Sequence, residues 1–72
     1  MSQEYRKVLA YNLQRIRTQK MLRKEELSLA LGFDNSYISK LEKCKINITI
    51  DKIELIANYL NVTLLDLFKN DK

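Results

Sequence analysis

The chain has 72 residues with no proline, one glycine and 46% apolar residues, which leaves room for one small, mostly helical domain and none for a second. A single cysteine and no histidine exclude an internal disulfide, the usual Cys/His zinc patterns and histidine-based acid–base catalysis, so no metal, cofactor or small-molecule ligand is expected. The first twenty residues carry Glu4, Arg6, Lys7, Arg15 and Arg17 where a signal sequence needs an apolar block, and a soluble, cytoplasmic protein is the expectation.

In chain order, Tyr5, Leu9, Leu13 and Ile16 recur at steps of four, four and three, predicting a helix from about residue 3 to 20. A second short helix begins near Arg23-Lys24-Glu25-Glu26 and places Leu27 and Leu31 one turn apart. Gly32 ends it, because the position after a helix terminus often needs a positive φ. Asp34 suits the N-cap of a third helix over Asn35 to Lys43, its carboxylate accepting from Ser36 or Tyr37 N–H. That helix turns Ile38 and Leu41 inward and Asn35, Ser36, Ser39, Lys40 and Lys43 outward. The alternation Ile46, Ile48, Ile50 alone reads as a strand, but with no second strand it is taken as an extended loop leading to a fourth helix capped by Thr49. Ile53, Ile56, Ala57 and Leu60 form the inner face of that helix, and Asn61 suits the position after its end. Thr63 and Asp66 make a T-x-x-D capping box for a last short helix bearing Leu64, Leu65, Leu67 and Phe68.

The net charge of +4 is unevenly distributed. Ten bases face five acids up to Lys45, whereas the rest of the chain holds three bases and four acids. A polyanion-facing region and a region with another task are implied, a solvated basic surface being the plainer alternative. Ile46, Ile48, Ile50, Leu64, Leu65 and Phe68 add more apolar side chains than a core of this size holds. A symmetric dimer patch is therefore expected from residues about 46–70.

A short helix, a turn at Gly32 and another short helix outline a helix-turn-helix at about residues 24–43, and Ser28, Gly32 and Ile38 supply its small residue, turn glycine and buried aliphatic. With LxxxLxxIR (Leu9, Leu13, Ile16, Arg17), KEEL (Lys24 to Leu27), LGFDNSYISKLEK (Leu31 to Lys43) and IANYLNVTLLDLF (Ile56 to Phe68) in order, the sequence resembles the Xre/Cro family of DNA-binding domains. The resemblance implies an all-α, five-helix, lambda-repressor-like domain over residues 1–72. It also implies sequence-specific binding of double-stranded DNA, as a homodimer on a palindromic operator.

Residue by residue, the resemblance places Lys24 beside a phosphate at the start of helix two and makes Asn35, Ser36 and Ser39 base-facing, asparagine suiting adenine and serine reading either donors or acceptors. Tyr37 either packs or reaches a phosphate. Lys40, Lys43 and Lys45 supply backbone charge, and Asn47 and Thr49 resemble phosphate contacts, although capping alone explains Thr49. Arg17 and Glu42 match an ion pair that orients helix three. Arg23 stands where a Ser or Thr cap is usual and adds a possible phosphate contact; Cys44 replaces the usual glycine after helix three. No sensor domain follows, so autoregulation is expected, as in restriction-modification controller proteins, towards which the ending leans, or small phage and mobile-element repressors. The competing reading is a helix-turn-helix protein-interaction module such as an antitoxin or adaptor. An enzyme is not expected.

Overall fold

The computed structural model describes residues 3–70, so the ends of the expected 1–72 domain lie outside the described residues. Five helices follow one another: α1 Gln3–Gln19, α2 Lys24–Ala30, α3 Tyr37–Glu42, α4 Ile50–Leu60 and α5 Leu64–Phe68. Leu9, Leu13 and Ile16 of α1 meet Leu27, Ile38, Leu41, Ile53, Ile56, Ala57, Leu60 and Leu67 in one core. α1 packs on α5 and α3, α2 on α3, and α4 on α5. Burying the apolar stripe of each helix is what stabilises elements this short, since α2, α3 and α5 are all below the length at which an isolated helix persists in water.

The ends of α1, α2, α3 and α4 share one construction. A residue with left-handed backbone follows each: Met21 (φ 58°), Gly32 (φ 80°), Cys44 (φ 59°) and Asn61 (φ 59°). Its N–H returns to a carbonyl three residues back, and the next N–H reaches five residues back, as in Cys44 to Leu41 at 3.0 Å and Lys45 to Lys40 at 2.9 Å. This paired closure satisfies the carbonyls a helix end leaves open. The residue after the turn then folds onto the core at Leu22, Phe33 and Val62, whereas Lys45 stays exposed. Glycine occupies this position only at residue 32, where added bulk would meet no atom and the backbone angle alone selects glycine.

Met21 and Cys44 therefore carry left-handed strain that asparagine tolerates better at 61. Met21→Gly should raise stability by about 1 kcal/mol, or about 4–8 °C in thermal midpoint for a domain of this size. Because Met21 is almost wholly exposed, no packing is lost with it. Cys44→Gly should gain less, since Cys44 is half-buried. A thermal melt in which Met21→Gly matches or falls below wild type would refute the strain account.

The third helix starts later than the pattern at Asn35 suggests. Tyr37 N–H donates to the Asp34 carbonyl at 3.0 Å, so Asn35 and Ser36 form a turn and α3 opens at Tyr37. Asp34 Oδ2 does accept from Ser36 N–H, at 3.1 Å, but as a turn brace ahead of the helix and not as its N-cap. Thr49 caps α4 by accepting from Lys52 N–H at 3.2 Å. Thr63 and Asp66 exchange side-chain bonds at the start of α5 (2.9 and 3.2 Å).

Candidate nucleic-acid interface

Ser28 joins α2 to α3. Fully buried, its hydroxyl donates to the Lys24 carbonyl at 2.9 Å and accepts from Ile38 N–H at 3.0 Å. One of the free N–H groups at the start of α3 is thus satisfied from the neighbouring helix. The small side chain also lets the two helices approach, with Ile38 and Leu41 buried beneath α3.

The other tether is ionic. Arg17 Nε and Nη2 donate to the two carboxylate oxygens of Glu42 at 2.8 and 3.2 Å, while Nη1 donates to the Leu22 carbonyl at 2.7 Å. One guanidinium thereby holds α1, the turn after it and the C-terminal end of α3. The fork-to-fork geometry is the strong form of this contact.

On the outer side, Asn35, Lys40, Lys43 and Lys45 are exposed and Ser39 is half-buried. Ser36 is also half-buried, and its hydroxyl donates to Asp34 Oδ2. Its Oγ–H is therefore committed, which narrows the either-way reading expected of a serine. Asp34 is held below its ordinary value of 3.8 first by that hydroxyl, then by the Ser36 N–H and by the charge of Lys40. Asp66 is lowered first by Thr63 N–H and then by its hydroxyl. For both, the folded value lies below the unfolded one, so their stabilisation is complete above about pH 4 and fades as pH falls through the lower folded-state values. A stability curve between pH 2 and 5 should fall on the acid side, and Asp66→Asn should flatten it. A flat wild-type curve would contradict these bonds.

Tyr37 does not present its hydroxyl. The oxygen is closed off from solvent without a hydrogen-bond partner, and that burial raises its pKa. Its ring lies 4.5 Å from that of Phe33, and Lys52 Nζ sits 5.4 Å from the Tyr37 ring centroid and 5.8 Å from that of Phe33. This arrangement packs the Tyr37 ring against Phe33 and Lys52. Arg23 is exposed with no side-chain cap bond; Glu26 Oε1 instead accepts from Arg23 N–H at 2.9 Å, which supplies the capping left unexplained there. Lys24 is half-buried at the first position of α2. Asn47 Oδ1 is engaged by Arg6 Nη2 of α1. Thr49 is exposed, its oxygen already accepting within α4. Lys52 was not among the expected site residues; its place above the two rings arises from a fold-level contact that local pattern does not contain.

The residues of the expected apolar patch differ in exposure. Ile46, Ile48, Leu64 and Phe68 are half-buried against the core; only Ile50 and Leu65 stand out, Leu65 at 81% exposure. Residues two apart in an extended segment share a side, so Ile46 and Ile48 turn inward together, while Ile50 opens α4 and leaves that alternation. Phe68 also meets the Tyr5 ring edge-on at 6.5 Å. Exposed apolar side chains outside that patch include Tyr11, Met21 and Leu29 and, on α4, Leu55 and Tyr59, one turn apart and each 49% exposed.

Two short helices tied across a glycine turn, the second held down from beneath and polar outside, define a helix-turn-helix domain. A family model described as Helix-turn-helix matches residues 13–67. A hypothetical transcription factor of Neisseria meningitidis serogroup B is 38% identical over 65 residues, covering 90% of this chain, and the chain spans 61% of that relative's length. The uncharacterised HTH-type transcriptional regulator y4dJ of Sinorhizobium fredii is 33% identical over 64 residues, covering 89% of this chain and 83% of its own length. Among solved structures, the hypothetical transcription factor NHTF from Neisseria superposes with a TM-score of 0.88 at 36% identity, over 93% of this chain and 77% of the other. The restriction-modification controller protein C.Esp1396I shares the fold, with a TM-score of 0.81 at 24% identity over 99% of this chain and all of its own. The chain belongs to the Xre-type helix-turn-helix family of DNA-binding transcription regulators. Among the described residues no helix is long and apolar enough to cross a membrane.

Proposed function

We propose that this protein is a sequence-specific regulator that binds double-stranded DNA in the cytoplasm as a homodimer on a palindromic operator and controls its own gene. The observation that carries the reading is the exposed set Asn35, Lys40, Lys43 and Lys45 around a helix anchored by Ser28 and the Arg17–Glu42 pair. Asn35 and Ser39 read base edges, while Lys24, Lys40, Lys43 and Lys45, with Arg23, Asn47 and Thr49 at the margins, meet phosphates. Contact between two copies falls to Leu55, Tyr59, Leu65 and Ile50, exposed on α4 and α5, with the half-buried Ile46, Ile48, Leu64 and Phe68 beside them, and would set recognition helices about 34 Å apart, one turn of DNA. The controller role is preferred to a phage or mobile-element repressor on the ending from Asn47 to Phe68, and a controller protein shares the fold.

Gel-shift titration against the chain's own upstream DNA and a scrambled duplex, at two salt concentrations, tests this. Asn35→Ala should erode the preference for the specific duplex by about 1–3 kcal/mol, while Lys40→Ala should weaken binding to both duplexes alike and reduce the salt dependence by about one phosphate contact. Leu65→Lys should sediment as a monomer. Equal, weak binding to both duplexes, unchanged by Asn35→Ala or Lys40→Ala, would transfer the face to a protein partner.

A further inference from the structure

Asp34 is an anomaly on this face: an exposed carboxylate leading into the base-reading segment of a protein proposed to bind a polyanion. Its Oδ2 accepts from both Ser36 N–H and Ser36 Oγ–H, while Oδ1 has no hydrogen-bond partner among the described residues. The serine hydroxyl's one hydrogen is thereby engaged by Asp34, and towards a ligand Ser36 Oγ can only accept. Side by side, Asp34 and Ser36 offer acceptors alone. A phosphate offers no donor to such a pair. The donors in a major groove are the exocyclic amines, cytosine N4 and adenine N6, and beside the adenine amine lies the N7 acceptor, which a carboxylate repels.

We infer that Asp34 and Ser36 form an acceptor-only reading element that selects a base pair presenting an amine, cytosine first, at one position of the bound DNA. The inference rests on the DNA-binding reading and refines its specificity. It reverses the permissive role a lone serine has, because the direction of the Ser36 hydrogen bond is fixed by Asp34 before DNA arrives. The Ser36 hydroxyl, then its N–H and last the charge of Lys40 favour the ionised carboxylate. The element also discriminates against guanine O6 and N7 and thymine O4, since acceptor would then meet acceptor.

The test is selection from a randomised duplex pool by wild type, Asp34→Asn and Ser36→Ala. Asparagine keeps an oxygen for the Ser36 N–H and hydroxyl but places an amide donor where Oδ1 was, so the turn survives while the reading inverts. Wild type should enrich cytosine at one position. Asp34→Asn should lower that preference about tenfold and move it towards guanine or thymine, and Ser36→Ala should relax the same position, with unchanged circular dichroism. Identical motifs from wild type and Asp34→Asn would overturn the inference and leave the regulator reading intact. A pool from which wild type enriches nothing would overturn both.

Discussion

Glu42→Ala should cost about 3–5 kcal/mol, the loss expected when one member of a buried ion pair is removed. The Arg17 and Glu42 side chains are only 9% and 5% exposed, so the guanidinium would remain charged inside the protein with just the Leu22 carbonyl as partner. Arg17→Met should cost a similar amount by stranding the Glu42 carboxylate. The double replacement Arg17→Met with Glu42→Leu should be less damaging than the two single losses combined, because two apolar side chains of similar volume need no partner. Urea denaturation of wild type, Arg17→Met, Glu42→Leu and the double variant closes the cycle, with Glu42→Ala measured beside them. With total stability of about 5–15 kcal/mol typical of a domain, either single variant approaches unfolding. Single losses below about 1 kcal/mol, the range of exposed pairs, would show that the contact orients nothing.

Asn12→Ala should be the other severe change. Asn12 is 1% exposed in the middle of α1, and its amide donates to the Leu67 carbonyl at 2.8 Å and the Lys69 carbonyl at 2.9 Å. α5 has no left-handed closure at its end, since Lys69 is extended; Asn12 supplies the donors that the turns after α1, α2, α3 and α4 supply to theirs. Removing it leaves the buried Leu67 carbonyl unsatisfied, at about 1–3 kcal/mol, with a further loss at Lys69. Asn12→Asp, nearly the same shape, should be worse than alanine because it sets acceptors against acceptors. Limited trypsin digestion should then cut at Lys69 well before the rest of the domain. Wild-type protection at Lys69 in Asn12→Asp would mean that α5 is held by its apolar side chains alone.

Much of the scaffold is legible in the residues themselves. The stripe of Leu9, Leu13 and Ile16, the Gly32 turn, the Thr49 cap and the Thr63–Asp66 box are local signals, and each stands in the structure where its spacing puts it. What could not be read there depends on groups distant in sequence. Asn12 lies three residues after Leu9 and four before Ile16, on the apolar stripe, and a polar residue on that stripe is the one hint that something across the core must pair with it. Nothing local announces that Ser28 serves Ile38, or that Arg6 takes Asn47. The isoleucine alternation was visible, but not which side of the loop would meet the core. Of the candidate interface, the outward residues from Ser39 to Lys43 followed from helical period; the engaged hydroxyl of Ser36 and the buried, unpartnered hydroxyl of Tyr37 did not, because they depend on the turn before α3 and on the packing around Phe33.

The loan of Ser28 to α3 has a dynamic consequence. A six-residue helix whose first turn is satisfied by another helix, and whose last turn is pinned by Arg17, has no independent existence. Its amide hydrogens should therefore exchange with solvent only when the whole domain opens, at the global free energy and not at the lower one of a frayed edge. The surface offered to DNA is then an all-or-none property of each molecule, present in full or lost with the core.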